Sequence, residues 1–268
     1  MRALAALLLA AALAGCTTTT TQTSSVPSTD SARPANAPAD PAADLARRVR
    51  VRLELASAYF SRGQMDVALE EVNRALALDP SQVPALNLRA LIQANLGDAT
   101  GAEATFRRAL TLAPRDVDAM QNYSWFLCQQ KRYPEADAQF EQMLVLPGNR
   151  EPARTLLAQG VCRAFAGDSD GAERALTRSF ELDPANPATA VNLAELLLRR
   201  GEPDRARFYI RRVNSQPARV NAQTLWLAAR IEHRLGNDTG AREFGAQLRS
   251  RFAESREALA FERGRFDD

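Results

Sequence analysis

Histidine and lysine are almost missing from this chain of 268 residues: His233 is its one imidazole and Lys131 its one ammonium side chain. A single histidine removes most acid–base dyads, catalytic triads and zinc sites together, because those need converging imidazoles or a base oriented by a third group. His233 reads instead as a partly exposed residue on a helix. No glycine-rich phosphate loop is present; the glycines stand apart at regular intervals. The carboxylate pair Glu70-Glu71 falls on a helical stretch and reads as solvated charge. Positive and negative side chains nearly balance, 34 against 32, for a formal net charge of +2, and neither sign gathers into a run. No nucleic-acid partner is expected, because no basic stripe stands out from acidic surroundings. Arginine supplies the rest of the positive charge, which reads as a compositional bias rather than an anion site. The chain is expected to be no enzyme and to need no metal or cofactor.

Alanine, leucine, arginine and glutamate dominate, with aromatics at only 6%, which is the composition of a helical protein. The first sixteen residues, MRALAALLLAAALAGC, differ from the rest. Arg2 gives a positive start, and Leu4 to Leu13 form an apolar stretch too short to span a bilayer comfortably. The stretch ends in Leu13-Ala14-Gly15-Cys16, which resembles the lipobox of bacterial lipoprotein signal peptides. That resemblance implies a signal peptide over 1–15, cleavage before Cys16, a lipid on its sulfur and an acyl group on its new amine. Several acyl chains on one residue exceed what stable membrane anchoring needs. Residue 17 is threonine rather than aspartate, so the usual inner-membrane retention signal is absent and an outer-membrane location facing the periplasm is expected. The alternative is an ordinary secretory signal with an incidental cysteine.

Residues 16–44 are read as the lipidated cysteine and a disordered tether. The segment is Thr, Ser, Pro, Ala and Asp, with no aromatic residue, and cannot bury enough surface to offset the entropy of ordering. A flexible coil of that length spans on the order of 30 Å r.m.s.. The folded domain is expected over 45–268.

Its architecture comes from self-similarity. Leu78-Asp79-Pro80, Leu112-Ala113-Pro114 and Leu182-Asp183-Pro184 each close a helical stretch, and Pro80 and Pro114 stand 34 residues apart. That is the tetratricopeptide period. Leu55, Ala56, Tyr59, Gly63, Ala68, Val72, Ala75 and Pro80 occupy the eight usual places of the tetratricopeptide motif, which this unit resembles. Six units follow one another, at about 49–82, 83–116, 117–150, 153–186, 187–220 and 222–255. The expectation is an all-α superhelix of helix-turn-helix repeats. A small residue in each first helix (Ala56, Ala90, Gly160, Ala194, Ala229) faces an alanine in each second helix (Ala68, Ala102, Ala136, Ala172, Ala206, Ala241), so the two helices approach closely. Gly63, Gly97, Gly167, Gly201 and Gly236 sit where the first helix must stop and turn. One hairpin cannot cover its own apolar face, so each repeat needs its neighbours.

With Cys16 given to lipid, Cys128 and Cys162 remain, an even number for an oxidising compartment. They fall at similar depths on the first helices of consecutive repeats. A disulfide between them is one reading, and two independent buried thiols is the other.

Function is expected in a surface. First helices line the concave face of this fold, and their outward positions carry Leu53 and Phe60, then Asn87, Leu91 and Asn95, then Gln121, Trp125 and Gln129. Farther along come Leu157, Val161 and Phe165, then Trp226 and Arg230. Large apolar residues there mean either a partner or packing between repeats. Aromatic anchors flanked by amides suit a peptide or helix laid in a groove. Phe60, Leu91, Asn95, Trp125, Gln129 and Phe165 are the candidate partner-binding residues, centred on the first three repeats.

The third repeat is the most distinctive: Gln121-Asn122-Tyr123-Ser124-Trp125-Phe126-Leu127-Cys128, then Lys131-Arg132-Tyr133-Pro134-Glu135-Ala136. This segment resembles the N-N-Y-G-x-F-L-C…R-Y-x-E-A stretch of the type IV pilus biogenesis lipoproteins of the PilW/PilF family, departing from it at Gln121 and Ser124. The six repeats and a long last helix reaching Phe261 agree with that family over roughly residues 45–260. The resemblance implies a pilotin-type helper whose partner is the type IV pilus secretin or another pilus envelope protein. Rival readings are a lipoprotein subunit of another envelope machine, such as outer-membrane protein assembly, and a regulator of cell-wall enzymes.

Overall fold

The computed structural model describes residues 40–266; the expected signal peptide, Cys16 and the tether up to residue 39 lie outside the described residues. Among the described residues the chain folds as six antiparallel helical hairpins and a terminal helix. The hairpins pair α1 (Pro41–Ser61) with α2 (Met65–Leu78), α3 (Val83–Asn95) with α4 (Ala99–Leu112), and α5 (Val117–Gln129) with α6 (Tyr133–Leu144). They continue with α7 (Pro152–Phe165) and α8 (Ser169–Leu182), α9 (Pro187–Arg199) and α10 (Pro203–Asn214), then α11 (Ala222–Arg234) and α12 (Asp238–Arg251), and end in α13 (Arg256–Glu262).

Local chemistry sets the period. Gly63, Gly97, Gly167, Gly201 and Gly236 all adopt positive φ, between 71° and 84°, and let each first helix end within one turn. In three repeats the next residue caps the second helix: Asp98, Asp168 and Asn237 accept from the backbone N–H of Gly101, Gly171 and Gly240 at 2.9, 2.9 and 3.1 Å. Proline occupies the first turn of α3, α6, α7, α9 and α10, where a missing N–H costs nothing.

The paired small residues are buried throughout: Ala56, Ala68, Ala90, Ala102, Ala194 and Ala206 have no exposed surface. Gly160 shows how tight the approach is, because a Cβ there would lie 2.6 Å from Leu176 Cγ. Each first helix packs beside the first helix of the next repeat, α1 on α3, α3 on α5, and so on to α9 on α11. Among the described residues the second helices make no comparable contact with one another, so the stack curves with the first helices inside. Apolar side chains between the layers form a core running the length of the stack. At its centre Phe106, Tyr123 and Phe126 meet with ring centroids 5.6 to 6.3 Å apart.

Three expectations need correction. Helix α1 begins at Pro41, so the last residues assigned to the tether are its first turn, with Pro41 at the start and Asp44 accepting from Arg47 at 2.6 Å. The last helix is not continuous to Phe261: it stops at Arg251, and Ser255 caps α13 by accepting from the Ala258 N–H at 3.1 Å. Glu70 and Glu71 are not both solvated. Glu71 is buried and accepts from Arg52 and Arg74, each at 2.7 Å, tying α1 to α2.

Candidate functional site

The first half of the segment read as most distinctive, 121–128, is largely interior, while 129–131 and 134–135 are exposed. Tyr123, Ser124, Phe126, Leu127, Cys128 and Ala136 are buried, and the Ser124 hydroxyl donates to the Met120 carbonyl at 2.7 Å. The Tyr123 hydroxyl donates to Glu103 on α4 at 3.2 Å, and Arg132 donates to the same carboxylate at 2.8 Å and to both oxygens of Glu135. Hydrogen bonds from Arg132 hold Glu103 and Glu135 below the usual carboxylate range. These contacts join the second repeat to the third. Cys128 and Cys162 are joined in a disulfide, with Cα atoms 5.8 Å apart, linking α5 to α7. Beside it Arg163 holds Asp137 through two hydrogen bonds and Glu141 through a third, and the buried Gln159 amide donates to both carboxylates. The junction between the third and fourth repeats is thus cross-linked covalently on the inside and by charge against α6.

Against this fixed interior Trp125 points outward. It is half-buried on the central core, and its ring centroid lies 6.4 Å from that of Phe165, which is 61% exposed. Leu91 is half-buried on the same core, two first helices earlier than Phe165. Phe60 is half-buried on the neighbouring N-terminal core. Asn95 is exposed and spends its amide on the Leu91 carbonyl of its own helix, at 2.8 Å; Gln129 is exposed. All six candidates lie on first helices, and of them only Trp125 and Phe165 are in ring contact. Between α3 and α5 a shallow cleft of about 190 Å³ is lined by Pro84, Asn87, Leu88, Leu91, Asp116 and Asp118. Asn122 donates across it to Asn87 at 3.2 Å. Among the described residues no group of His, Cys, Asp and Glu could hold a metal ion, and no helix is long and apolar enough to cross a membrane.

Sequence reasoning missed what covers the sixth repeat. His233 is exposed on α11, as its reading has it, but the Phe266 ring stacks on it with centroids 4.1 Å apart. Trp226 and Arg230, placed on the concave face by their repeat positions, touch the same residue. The signal available was aromatic spacing after α12, which has no helical period to reveal its target.

Two tetratricopeptide repeat models match the chain, one over residues 40–83 and 53–117, the other over 95–160 and 166–230. The type IV pilus assembly protein PilF of Pseudomonas aeruginosa is 28% identical over 265 residues, covering 98% of each chain. Among solved structures, PilW, described as a widely conserved type IV pilus biogenesis factor, is 30% identical. It superposes with a TM-score of 0.72 over 79% of this chain and 97% of its own. The structure of Pseudomonas aeruginosa PilF superposes with a TM-score of 0.68 over 82% of this chain and 99% of its own, at 24% identity, which speaks to the fold alone.

Proposed function

The chain belongs to the tetratricopeptide-repeat family of type IV pilus biogenesis proteins, and from that premise we propose that it is a lipid-anchored helper of the pilus secretin. In this reading Cys16 holds it on the periplasmic side of the outer membrane. The repeat domain binds a secretin subunit, or another pilus envelope protein, and helps the subunits assemble as a ring. The observation that carries the reading is the match to PilF along 98% of both chains. Two features support it. A disulfide between buried Cys128 and Cys162 suits an oxidising compartment beyond the inner membrane. The Trp125–Phe165 contact offers an aromatic anchor on the concave face, where a partner segment would lie.

The test is the gel migration of secretin from a strain lacking this gene, read with twitching motility. Loss of the slow-migrating multimer, restored by the wild-type gene and not by Cys16→Ala, is the expected result. Full multimer and normal twitching in the deletion strain would reject the pilotin role, and outer-membrane fractionation of Cys16→Ala protein would reject the anchor.

A further inference from the structure

On α11, Trp226, Arg230 and His233 fall at i, i+4 and i+7 and form one stripe. By repeat position this is the concave stripe of the sixth hairpin, equivalent to the one that carries Trp125 in the third. Here it is covered. After α13 the chain turns at Gly264 and returns across the stripe. The Phe266 ring stacks on His233 and lies 5.4 Å from the Trp226 ring and 5.7 Å from Phe261, while its backbone carbonyl accepts from Arg230 Nε at 3.1 Å. Arg230 is steadied from the other side by Glu195 on α9, at 3.6 Å. Phe261, the back wall, is set by Gly245, where any Cβ would collide with its ring.

Two different groups are therefore read at once: an aromatic side chain by a slot of rings, and a main-chain carbonyl by a guanidinium. The second contact is indifferent to sequence, which is how an extended peptide is held in a groove. The occupant is a short segment outside any helix, so removing it would leave the hairpins intact. Charge adds a preference. The resident segment carries its own carboxylates next to the aromatic residue, since in the sequence Phe266 is followed by Asp267 and Asp268, and Arg230 is the guanidinium set to meet such charge.

We propose that the concave stripe of the sixth repeat is a peptide-binding site for an extended partner segment carrying an aromatic residue flanked by carboxylates, with Phe266 as its resident competitor. The inference rests on the stripe alone and stands whether or not the secretin is a partner.

The probe is a fluorescein-labelled peptide with the sequence of residues 262–268, Glu-Arg-Gly-Arg-Phe-Asp-Asp, titrated by anisotropy into the full chain and into Phe266→Ala. Emptying the slot should tighten binding by about tenfold or more over the unmodified chain. Adding Arg230→Ala to Phe266→Ala should reverse the gain, and a peptide with alanine for phenylalanine should not bind. Replacing its aspartates by asparagines should weaken binding and flatten its salt dependence. In the unmodified chain, excess peptide should raise hydrogen exchange at residues 264–266. Equal or absent binding by both proteins overturns the proposal, as does a Phe266→Ala chain that loses its cooperative melt, which would make Phe266 core. Dimerisation of the unmodified chain that Phe266→Ala abolishes would assign the slot to a second copy and overturn it too.

Discussion

Lys131 stands in the third repeat where Gly97 stands in the second, and it takes the same left-handed turn, with φ of 61° against 84°. Among the described non-glycine residues it alone has positive φ. Its N–H donates to the Cys128 carbonyl at 2.9 Å, just as Gly97 donates to Ala94 at 3.2 Å, so the hairpin closes in the same way despite the side chain.

Lys131→Gly should stabilise the domain. A side chain in this region costs roughly 1–2 kcal/mol, and glycine returns part of that as unfolded-state entropy, roughly 0.5–1 kcal/mol. A net gain of about 0.5–1 kcal/mol is expected in the denaturant midpoint, with Lys131→Ala near neutral because alanine meets the same penalty. A loss of stability in Lys131→Gly would mean that the lysine side chain supports the turn by a contact of its own.

The disulfide supports the same junction from the core. Cys128 and Cys162 are each 2% exposed, so reduction waits on local opening. Both should resist alkylation in denatured, non-reduced protein. The bond closes a loop with a sequence separation of 34. Its reduction should lower stability by roughly 3–4 kcal/mol in the chain-entropy model. Two alkylated thiols without reductant would refute the bond in the cell, leaving the cysteines as small buried apolar groups.

What could be read without coordinates was whatever repeats. Gly63, Gly97, Gly167, Gly201 and Gly236, with the paired small residues, mark hairpins because each answers a backbone or packing demand that recurs in every unit. Lys131 escaped the pattern because a non-glycine residue at positive φ has no signature of its own. Pro41 to Asp44 read as tether by composition, yet the proline and the early aspartate are also a good helix start. Phe266 was illegible for a different reason. Its partners are set by the return of the chain over α11, a tertiary event that periodicity does not report. The resemblance in 121–136 was legible as a signature, but not that 121–128 is largely interior; burial of Tyr123 and the convergence on Glu103 needed the neighbouring repeat.

That burial sharpens the final prediction, because it separates the residues of 121–136 that hold the fold from the one that can hold a partner. Trp125 is half-buried and Phe165 is 61% exposed, with their rings in contact. Phe165→Ala removes a mostly solvated side chain and should change stability by no more than about 0.5 kcal/mol. Trp125→Ala also loses packing on the central core, so a moderate fall in melting temperature is expected, smaller than for Phe126→Ala, whose ring is 2% exposed. If the pair is the anchor, both variants should impair secretin assembly while remaining folded. A truncated aromatic hot spot costs about 2 kcal/mol or more of binding, roughly thirtyfold in affinity. Phe165→Ala is the more decisive of the two, since its effect on the fold is small and any assembly defect must come from the surface. Full assembly by a stable Phe165→Ala protein, together with assembly by Trp125→Ala that tracks only its melting temperature, would make Trp125 a packing residue. The partner would then have to engage the face nearer Phe60 and Leu91, or the stripe that Phe266 now covers.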